Sequence, residues 1–203
     1  MKVSATILAA GGSKRMGNDN KLLLLVNEKP IIYKVCNVVL ESNFNQVILV
    51  TGYQSHKLIK VLPKGIKNIV YNENWEDGMM SSINIGMSKL DDEIDGNMII
   101  LGDMPLIQTS TINKLIDQFK IYDGNHIIYP LYNGKQANPV LFPKKYFSKI
   151  LNSTGQKGCK KVLKKYPEDA VGIQCNSDEV IVDCDNRDDY FSIKKKLLNN
   201  VQT

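Results

Sequence analysis

The sequence is poor in the residues that announce metal clusters, disulfide scaffolds and membrane spans. In 203 residues it has four cysteines, two histidines and one tryptophan. Cys36, Cys159, Cys175 and Cys184 are scattered and none stands in a CxxC pair. That excludes a zinc-finger or disulfide framework and predicts small buried side chains in a reducing compartment. His56 and His126 lie away from every glycine-rich or acidic motif, so no Ser-His-Asp arrangement can be drawn. No apolar run reaches the roughly 18 residues that a membrane helix needs, so no membrane partner is expected. The opening MKVSATILAAGG places a lysine before a short apolar stretch, as a secretory signal does. The stretch is brief and runs straight into glycines, so it reads as a buried strand, with the cytoplasm as the expected location. There is no linker rich in Pro, Gly or Ser, no repeat and no low-complexity tract. One domain over 1–203 is then the simplest organisation at this length.

Charge of one sign is not in large excess either. The net charge is +5, and many lysines fall late: Lys144, Lys145, Lys149, Lys157, Lys160, Lys161, Lys164 and Lys165. Only Tyr146, Phe147 and Tyr166 are interleaved with them. A solvated helix face fits this better than a base-stacking platform, and no nucleic-acid partner is expected. A mild positive field also suits an enzyme that handles polyphosphates.

What is present is an alternation of apolar runs and amphipathic segments. Strands are predicted at Val3–Ala9, Gln46–Thr51, Asn68–Tyr71, Met98–Leu101 and His126–Tyr129, the last closed by Pro130. Helices are predicted from Pro30 to about Leu40, Ser55–Leu62, Met80–Lys89 and Thr109–Tyr122, with Thr109 or Ser110 as N-cap of the fourth. This order predicts an α/β fold of Rossmann-like, doubly wound type: a mostly parallel sheet with helices on both faces and ligands at the carboxyl ends of its strands. After residue 130 the pattern changes to a hairpin around Asn133-Gly134 and helices near 144–151 and 157–166. Short strands at Ala170–Gln174 and Glu179–Asp183 and a helix over Asp188–Asn199 follow. Residues 1–130 are expected to form a ligand-binding half and 131–203 the second half of the same domain.

Four segments carry chemistry. In Leu8-Ala9-Ala10-Gly11-Gly12-Ser13-Lys14-Arg15-Met16-Gly17, small residues end a buried strand and let backbone approach a ligand closely. Gly11 and Gly12 permit positive φ, which would aim successive N–H groups at phosphate oxygens. Arg15 can fork onto two such oxygens, and Lys21 supplies a compact charge. The spacing matches neither a Walker P-loop nor a GxGxxG turn. Asp103, in Leu101-Gly102-Asp103-Met104-Pro105, is an acid just past a buried strand, where it would either hold a hard cation such as Mg²⁺ or cap the next turn. Asn72-Glu73-Asn74-Trp75-Glu76-Asp77-Gly78-Met79-Met80-Ser81-Ser82 leads through Gly78 into a helix start, either an ordinary one or one whose N–H groups and hydroxyls meet a base or phosphate. In Asp183-Cys184-Asp185-Asn186-Arg187-Asp188-Asp189, acids at i and i+2 on a strand share a face. Asp185 could complete a metal site with Asp103, or Asp185 or Asn186 could cap the last helix. Asp183 is expected to belong with the capping acids rather than the metal set.

These residues resemble a known family. The run LAAGGSKRMGNDNK is similar to the LAAGxSxRMG…K signature of single-domain nucleotidyltransferases, and within them the chain resembles the MobA-like molybdenum cofactor cytidylyltransferases. NENWEDGMMSSINIGM, ILGDMPLI, ANPVLF and DCDNRDDY match further segments in order, over about residues 4–190. The resemblance implies a nucleotide-diphospho-sugar-transferase-like fold. It implies a nucleotide site of Leu8, Ala10, Gly11, Gly12, Arg15, Lys21, Gly78 and Ser82, with Arg15, Lys21 and Asp103 catalytic. It further implies Mg²⁺ on Asp103 and Asp185, and Asn138 against the acceptor. Ala10, where guanylyl-transferring relatives carry glycine, implies CTP. The implied reaction moves CMP from CTP to the phosphate of molybdopterin, with a molybdenum hydroxylase as possible client. Two positions depart from the pattern: Asn138 replaces a histidine, and Gln156 an aspartate. They leave open transfer to another phosphorylated small molecule, or a non-catalytic cofactor-delivery role.

Overall fold

The computed structural model describes residues 1–17, 19–153 and 160–199. Its central strand is β1 (Val3–Ala9), buried on both sides. The other strands are β2 (Leu25–Val26), β3 (Lys29–Pro30), β4 (Gln46–Thr51), β5 (Asn68–Tyr71), β6 (Gly96–Leu101), β7 (Ile127–Tyr132), β8 (Lys135–Gln136), β9 (Val140–Pro143) and β10 (Ala170–Gln174). The main sheet runs β10-β7-β9-β6-β1-β4-β5, with β8 paired to β7, while β2 and β3 form a separate small ribbon. β1 lies parallel to β4 and β6, β4 to β5, and β7 to β10. β9 runs antiparallel to both β6 and β7. The sheet is therefore mostly parallel, as expected, with one reversed strand inside it.

The helices are α1 (Ile31–Leu40), α2 (Ser55–Ile59), α3 (Met79–Met87), α4 (Thr109–Ile121), α5 (Phe147–Leu151), α6 (Lys160–Lys165) and α7 (Arg187–Asn199). Alternation along β1 explains the two layers. Val3, Ala5, Ile7 and Ala9 pack with Ile31 and Val35 of α1, Leu115 and Phe119 of α4 and Ile193 of α7. On the opposite face Gly86 of α3 comes so close that an added Cβ would lie 2.6 Å from Thr6. Met80, Ile83 and Met87 of α3 cluster there with Ile150 of α5 and Val162 of α6. Each such fully buried aliphatic side chain contributes about 1.5–3 kcal/mol. Among the described residues, no helix is long and apolar enough to cross a membrane.

Several boundaries differ from the expectation. Pro130 does not close β7 but lies within it opposite Ile173, its carbonyl accepting from the Ala137 N–H at 2.9 Å. The lost N–H is tolerated because β9 pairs with β7 only at Ile128. Glu179–Asp183 is not a strand. Ser177 Oγ accepts from the Glu179 N–H and starts a 3₁₀ turn over Asp178–Val180. α4 has Gln108 as its N-cap and no side-chain cap, so Thr109 and Ser110 lie inside the helix. α2 ends at Ile59, before the expected Leu62. The Asn133-Gly134 turn is as expected, with φ of 49° and 72° joining β7 to β8. Gln156 lies outside the described residues.

The register brings the site together. Leu8 stands opposite Leu101 and Ala9 opposite Thr51, so β1, β4 and β6 end level with one another. Their outgoing loops share one edge of the sheet, where such folds bind ligands.

Candidate active site

A cleft of about 550 Å³ opens at that edge. The loop after β1 is held open by its own turns. Ser13, not Gly11 or Gly12, takes the left-handed conformation, with φ of 51°, and Gly17 follows with φ of 70°. Met16 is buried and anchors a 3₁₀ turn over Lys14–Met16. Ser13 Oγ accepts from the Lys21 N–H at 3.1 Å, closing the loop, and Asn20 caps the next turn by accepting from the Leu22 N–H. The need for glycine at position 12 has a different cause from the expected positive φ: a Cβ there would lie 2.7 Å from the Trp75 ring. Gly102 likewise serves packing, since a Cβ would stand 2.8 Å from the Leu8 carbonyl.

The polar centre is three carboxylates and two cations. Asp103, Asp183 and Asp185 each offer an oxygen, and these lie within 4.8 Å of one another. Backbone geometry assembles them. The Cys184 N–H donates to the Asp103 carbonyl at 2.9 Å, and Cys184 is fully buried, its thiol pushed up to about 11 by that burial. Asp183 and Asp185, on either side of it, both line the cleft. Asn186 caps α7, accepting from the Asp188 and Asp189 N–H groups, while the Asp189 carboxylate accepts from the Asp185 and Asn186 N–H groups. The capping role thus falls to Asn186, which leaves Asp185 free to face the cleft.

Lys21 Nζ sits between two of the acids, 2.5 Å from Asp103 Oδ2 and 2.9 Å from Asp185 Oδ1. Burial works against its charge, but Asp103 and Asp185 outweigh it and hold the ammonium above its ordinary pKa. Arg15 donates to Asp185 Oδ2 at 2.7 Å from an exposed position. Burial opposes ionisation of Asp185, yet Lys21 and Arg15 hold its pKa below the ordinary value. Asp183 shifts upward, through burial first and then the neighbouring charges of Asp103 and Asp185. Asp103 Oδ1 is buried and accepts no hydrogen bond among the described residues. An orphaned carboxylate oxygen beside two further acids is a donor set for a hard divalent cation.

The opposite wall comes from the start of α3. Gly78 carries a φ of 102°, and Ser82 is 5% exposed. Leu8, Ala10, Gly11, Gly12, Gly78 and Ser82 all line the cleft, as do Arg15, Lys21, Asp103 and Asp185. Asn138 does not line it. Its backbone N–H donates to the Val180 carbonyl, and it precedes β9, where Val140 stands opposite Ile99. That places Asn138 at the carboxyl end of β6, beside the cleft rather than in it. Two contributors escaped the sequence reading. Asp183 has its signal in the i, i+2 spacing about Cys184, a pattern that helix-capping acids share. Trp75, part of a singled-out segment but given no role there, lines the cleft and packs on Gly12 and Gly52, partners remote in sequence.

The MobA-like NTP transferase domain matches residues 5–171. The 2-C-methyl-D-erythritol 4-phosphate cytidylyltransferase of Lachnoclostridium phytofermentans is 26% identical over 98% of this chain and 89% of its own length. The bifunctional protein GlmU of Thermoanaerobacter pseudethanolicus is 36% identical over 60% of this chain, which spans only 26% of that protein. Among solved structures, a nucleotidyl transferase from Methanothermobacter thermautotroptrophicus (Mth528) superposes with a TM-score of 0.85 at 20% identity, covering 98% of this chain and 99% of that one.

Proposed function

Because this chain belongs to the MobA-like NTP transferase family, we propose that it moves the cytidylyl group of CTP onto the phosphate of a molybdopterin-type acceptor and releases pyrophosphate. The observation that carries the proposal is the meeting of Lys21 and Arg15 with Asp103, Asp183 and Asp185 in one cleft at the strand ends. Two cations and a cation-seeking carboxylate set suit a nucleoside triphosphate. In the reaction a phosphate oxygen of the acceptor bonds to the α-phosphorus of CTP, and the bond from that phosphorus to the β-bridging oxygen breaks. The electron pair leaves with pyrophosphate. The acceptor phosphate is already ionised at neutral pH, so the chain need supply no general base, which agrees with the absence of histidine from the cleft lining.

Positioning and charge do the rest. Gly11, Gly12 and Ser13 present backbone to the triphosphate. Lys21 leaves the carboxylates for the α-phosphate, and exposed Arg15 neutralises the departing pyrophosphate. Asp103, Asp183 and Asp185 would hold Mg²⁺, with the orphaned Asp103 Oδ1 as the natural first ligand. Mg²⁺ would supply neutralisation of the phosphate charge there. Gly78, Ser82, Ala10 and Leu8 would meet the base and ribose. Ala10 lines the cleft where the guanylyl-transferring relatives carry glycine, which supports CTP. The ordered motifs up to DCDNRDDY support the molybdopterin acceptor, with Asn138 at its edge and 131–203 as the acceptor-binding half of one domain. The proposed setting is the cytoplasm.

A second reading has its own support: the erythritol-phosphate cytidylyltransferase matches along 98% of the chain. It makes 2-C-methyl-D-erythritol 4-phosphate the acceptor with the same nucleotide site. The deciding experiment measures pyrophosphate release from CTP, GTP, ATP and UTP with Mg²⁺ and each acceptor in turn. The proposal expects release with CTP and molybdopterin. Release only with the erythritol phosphate moves the assignment to the second reading. Binding of CTP with no release from any acceptor, together with capture of a molybdenum hydroxylase, points to a delivery protein.

A further inference from the structure

Asn72 is the first residue past β5 and is 2% exposed, although nothing in the transfer chemistry calls on it. Its backbone N–H donates to the Thr51 carbonyl, so its position is fixed by the sheet edge. Its amide is fixed as well. Oδ1 accepts from the Asn74 N–H at 3.0 Å, which only the oxygen of the amide can do. Nδ2 must then face the other way, and it donates to Ser81 Oγ and Ser82 Oγ, both at 2.9 Å. The two amide protons are thus divided between two hydroxyls at the start of α3.

Each hydroxyl has one proton of its own left to place. Ser81 has carbonyl acceptors at 2.8 Å in Asn74 and Gly78. Ser82 has no acceptor for its proton among the described residues, and it lines the cleft. We propose that Asn72 is a positioning residue that turns Ser82 into a hydrogen-bond donor aimed at an acceptor atom of the bound nucleotide. An amide nitrogen behind the hydroxyl occupies a lone pair and repels the hydroxyl proton, so that proton points into the cleft. A carbonyl oxygen, a ring nitrogen with a lone pair or a ribose or phosphate oxygen fits there. A ligand N–H at the same place could use only the remaining Oγ lone pair and would leave the hydroxyl proton without an acceptor, so it is disfavoured. This inference rests on the nucleotide reading of the cleft and adds a polarity to one of its contacts.

Asn72→Asp tests it with little change of shape. The carboxylate keeps an acceptor for the Asn74 N–H but replaces the donating amide by an acceptor, so the Ser82 proton turns away from the cleft. CTP affinity is measured by calorimetry with Mg²⁺ present, in wild type, Asn72→Asp, Ser82→Ala and the double variant. Loss of one neutral hydrogen bond corresponds to about 3–10-fold in affinity. Ser82→Ala is expected to weaken CTP binding by about that factor, and Asn72→Asp by at least as much. In the Ser82→Ala background, Asn72→Asp is expected to cost far less, because its route of action is gone. Equal cost in both backgrounds would mean plain charge repulsion or misfolding and overturns the proposal. Ser82→Cys, which leaves Asn72 untouched, covers the case in which Asn72→Asp does not fold. A thiol is a weak donor, so wild-type affinity in Ser82→Cys overturns the proposal, and an alanine-like loss supports it. Wild type that binds CTP while all Ser82 variants bind equally well defeats this inference alone. Wild type that binds no nucleotide defeats the functional reading and this inference with it.

Discussion

Lys21 has two sets of partners and one charge. Without ligand its ammonium rests on Asp103 and Asp185, only 15% exposed and ready-placed among the acids. During transfer its proposed partner is the α-phosphate. Removing a donor aimed at transition-state charge costs about 10²–10³ in rate. Lys21→Ala is expected to lose turnover by that factor at saturating CTP, measured as pyrophosphate release; near-wild-type turnover would remove the role. The same substitution frees two carboxylates, so Mn²⁺ titrated without nucleotide should bind Lys21→Ala more tightly than wild type. Asp103→Asn and Asp183→Asn are each expected to abolish turnover at ordinary Mg²⁺, since each removes a member of the triad. Retained activity in Asp183→Asn would reduce the metal set to Asp103 and Asp185. Lys21, Arg15 and Asp103 were legible as candidates because charges just past a buried strand demand a partner, while Asp185, open between metal ligand and cap on its spacing, was marked by the family resemblance. Asp183 was not, because acids just before a helix also serve as caps, and only the tertiary path through buried Cys184 separates the two uses.

At the scale of elements, the strand-to-helix loops are fitted to one another through Trp75. Its side chain covers both glycines: a Cβ at Gly12 of the first loop would lie 2.7 Å from the ring, and one at Gly52 after β4 would lie 2.7 Å from the Trp75 Cβ. Gly12→Ala therefore has to displace the indole or the loop, and both line the cleft. The expected outcome is a raised KM for CTP with a smaller change in kcat, and a shift in the fluorescence of the sole tryptophan. Unchanged fluorescence and KM would show that the contact has slack. Four strands were legible to the residue: Val3–Ala9 and Gln46–Thr51 inside the sheet, and Asn68–Tyr71 and Ala170–Gln174 at its two edges. Their apolar runs end at turn residues that leave no alternative. The reversal of β9 between β6 and β7 was not legible, because strand neighbours are set by packing rather than by local pattern. The Glu179–Asp183 stretch misled for a related reason. Its β-branched Val180, Ile181 and Val182 suggest a strand, while the Ser177 cap and buried Glu179, which accepts from Thr111 Oγ1 at 2.5 Å, impose a turn.

Across the whole molecule, the site is where the two ends of the fold meet. Lys21 and Arg15 come from the first loop, Asp183 and Asp185 from the segment just before α7. Other contacts clasp the same parts: Arg187 pairs with Asp19 at 2.6 Å, and the Tyr190 hydroxyl donates to the Leu25 carbonyl at 2.8 Å. The Arg187 pair is exposed and contributes little by itself. A ligand that binds cations of one end and acids of the other adds a further link, and it binds only the folded chain. Ligand at 100 times its Kd stabilises by about 2.7 kcal/mol, which for a chain of this size is roughly 5–10 °C in Tm. In the proposed complex the triphosphate and the metal would assist each other, because the metal would neutralise the acids that repel the phosphates. CTP with Mg²⁺ together is therefore expected to raise Tm by more than the sum of the shifts from each alone, read by thermal melting. Asp103→Asn should abolish the excess while leaving the ligand-free Tm near wild type or above it, since one of three crowded carboxylates is neutralised. A shift from CTP alone as large as the combined one would mean that the carboxylates take no part in nucleotide binding, and the metal assignment would fall with it.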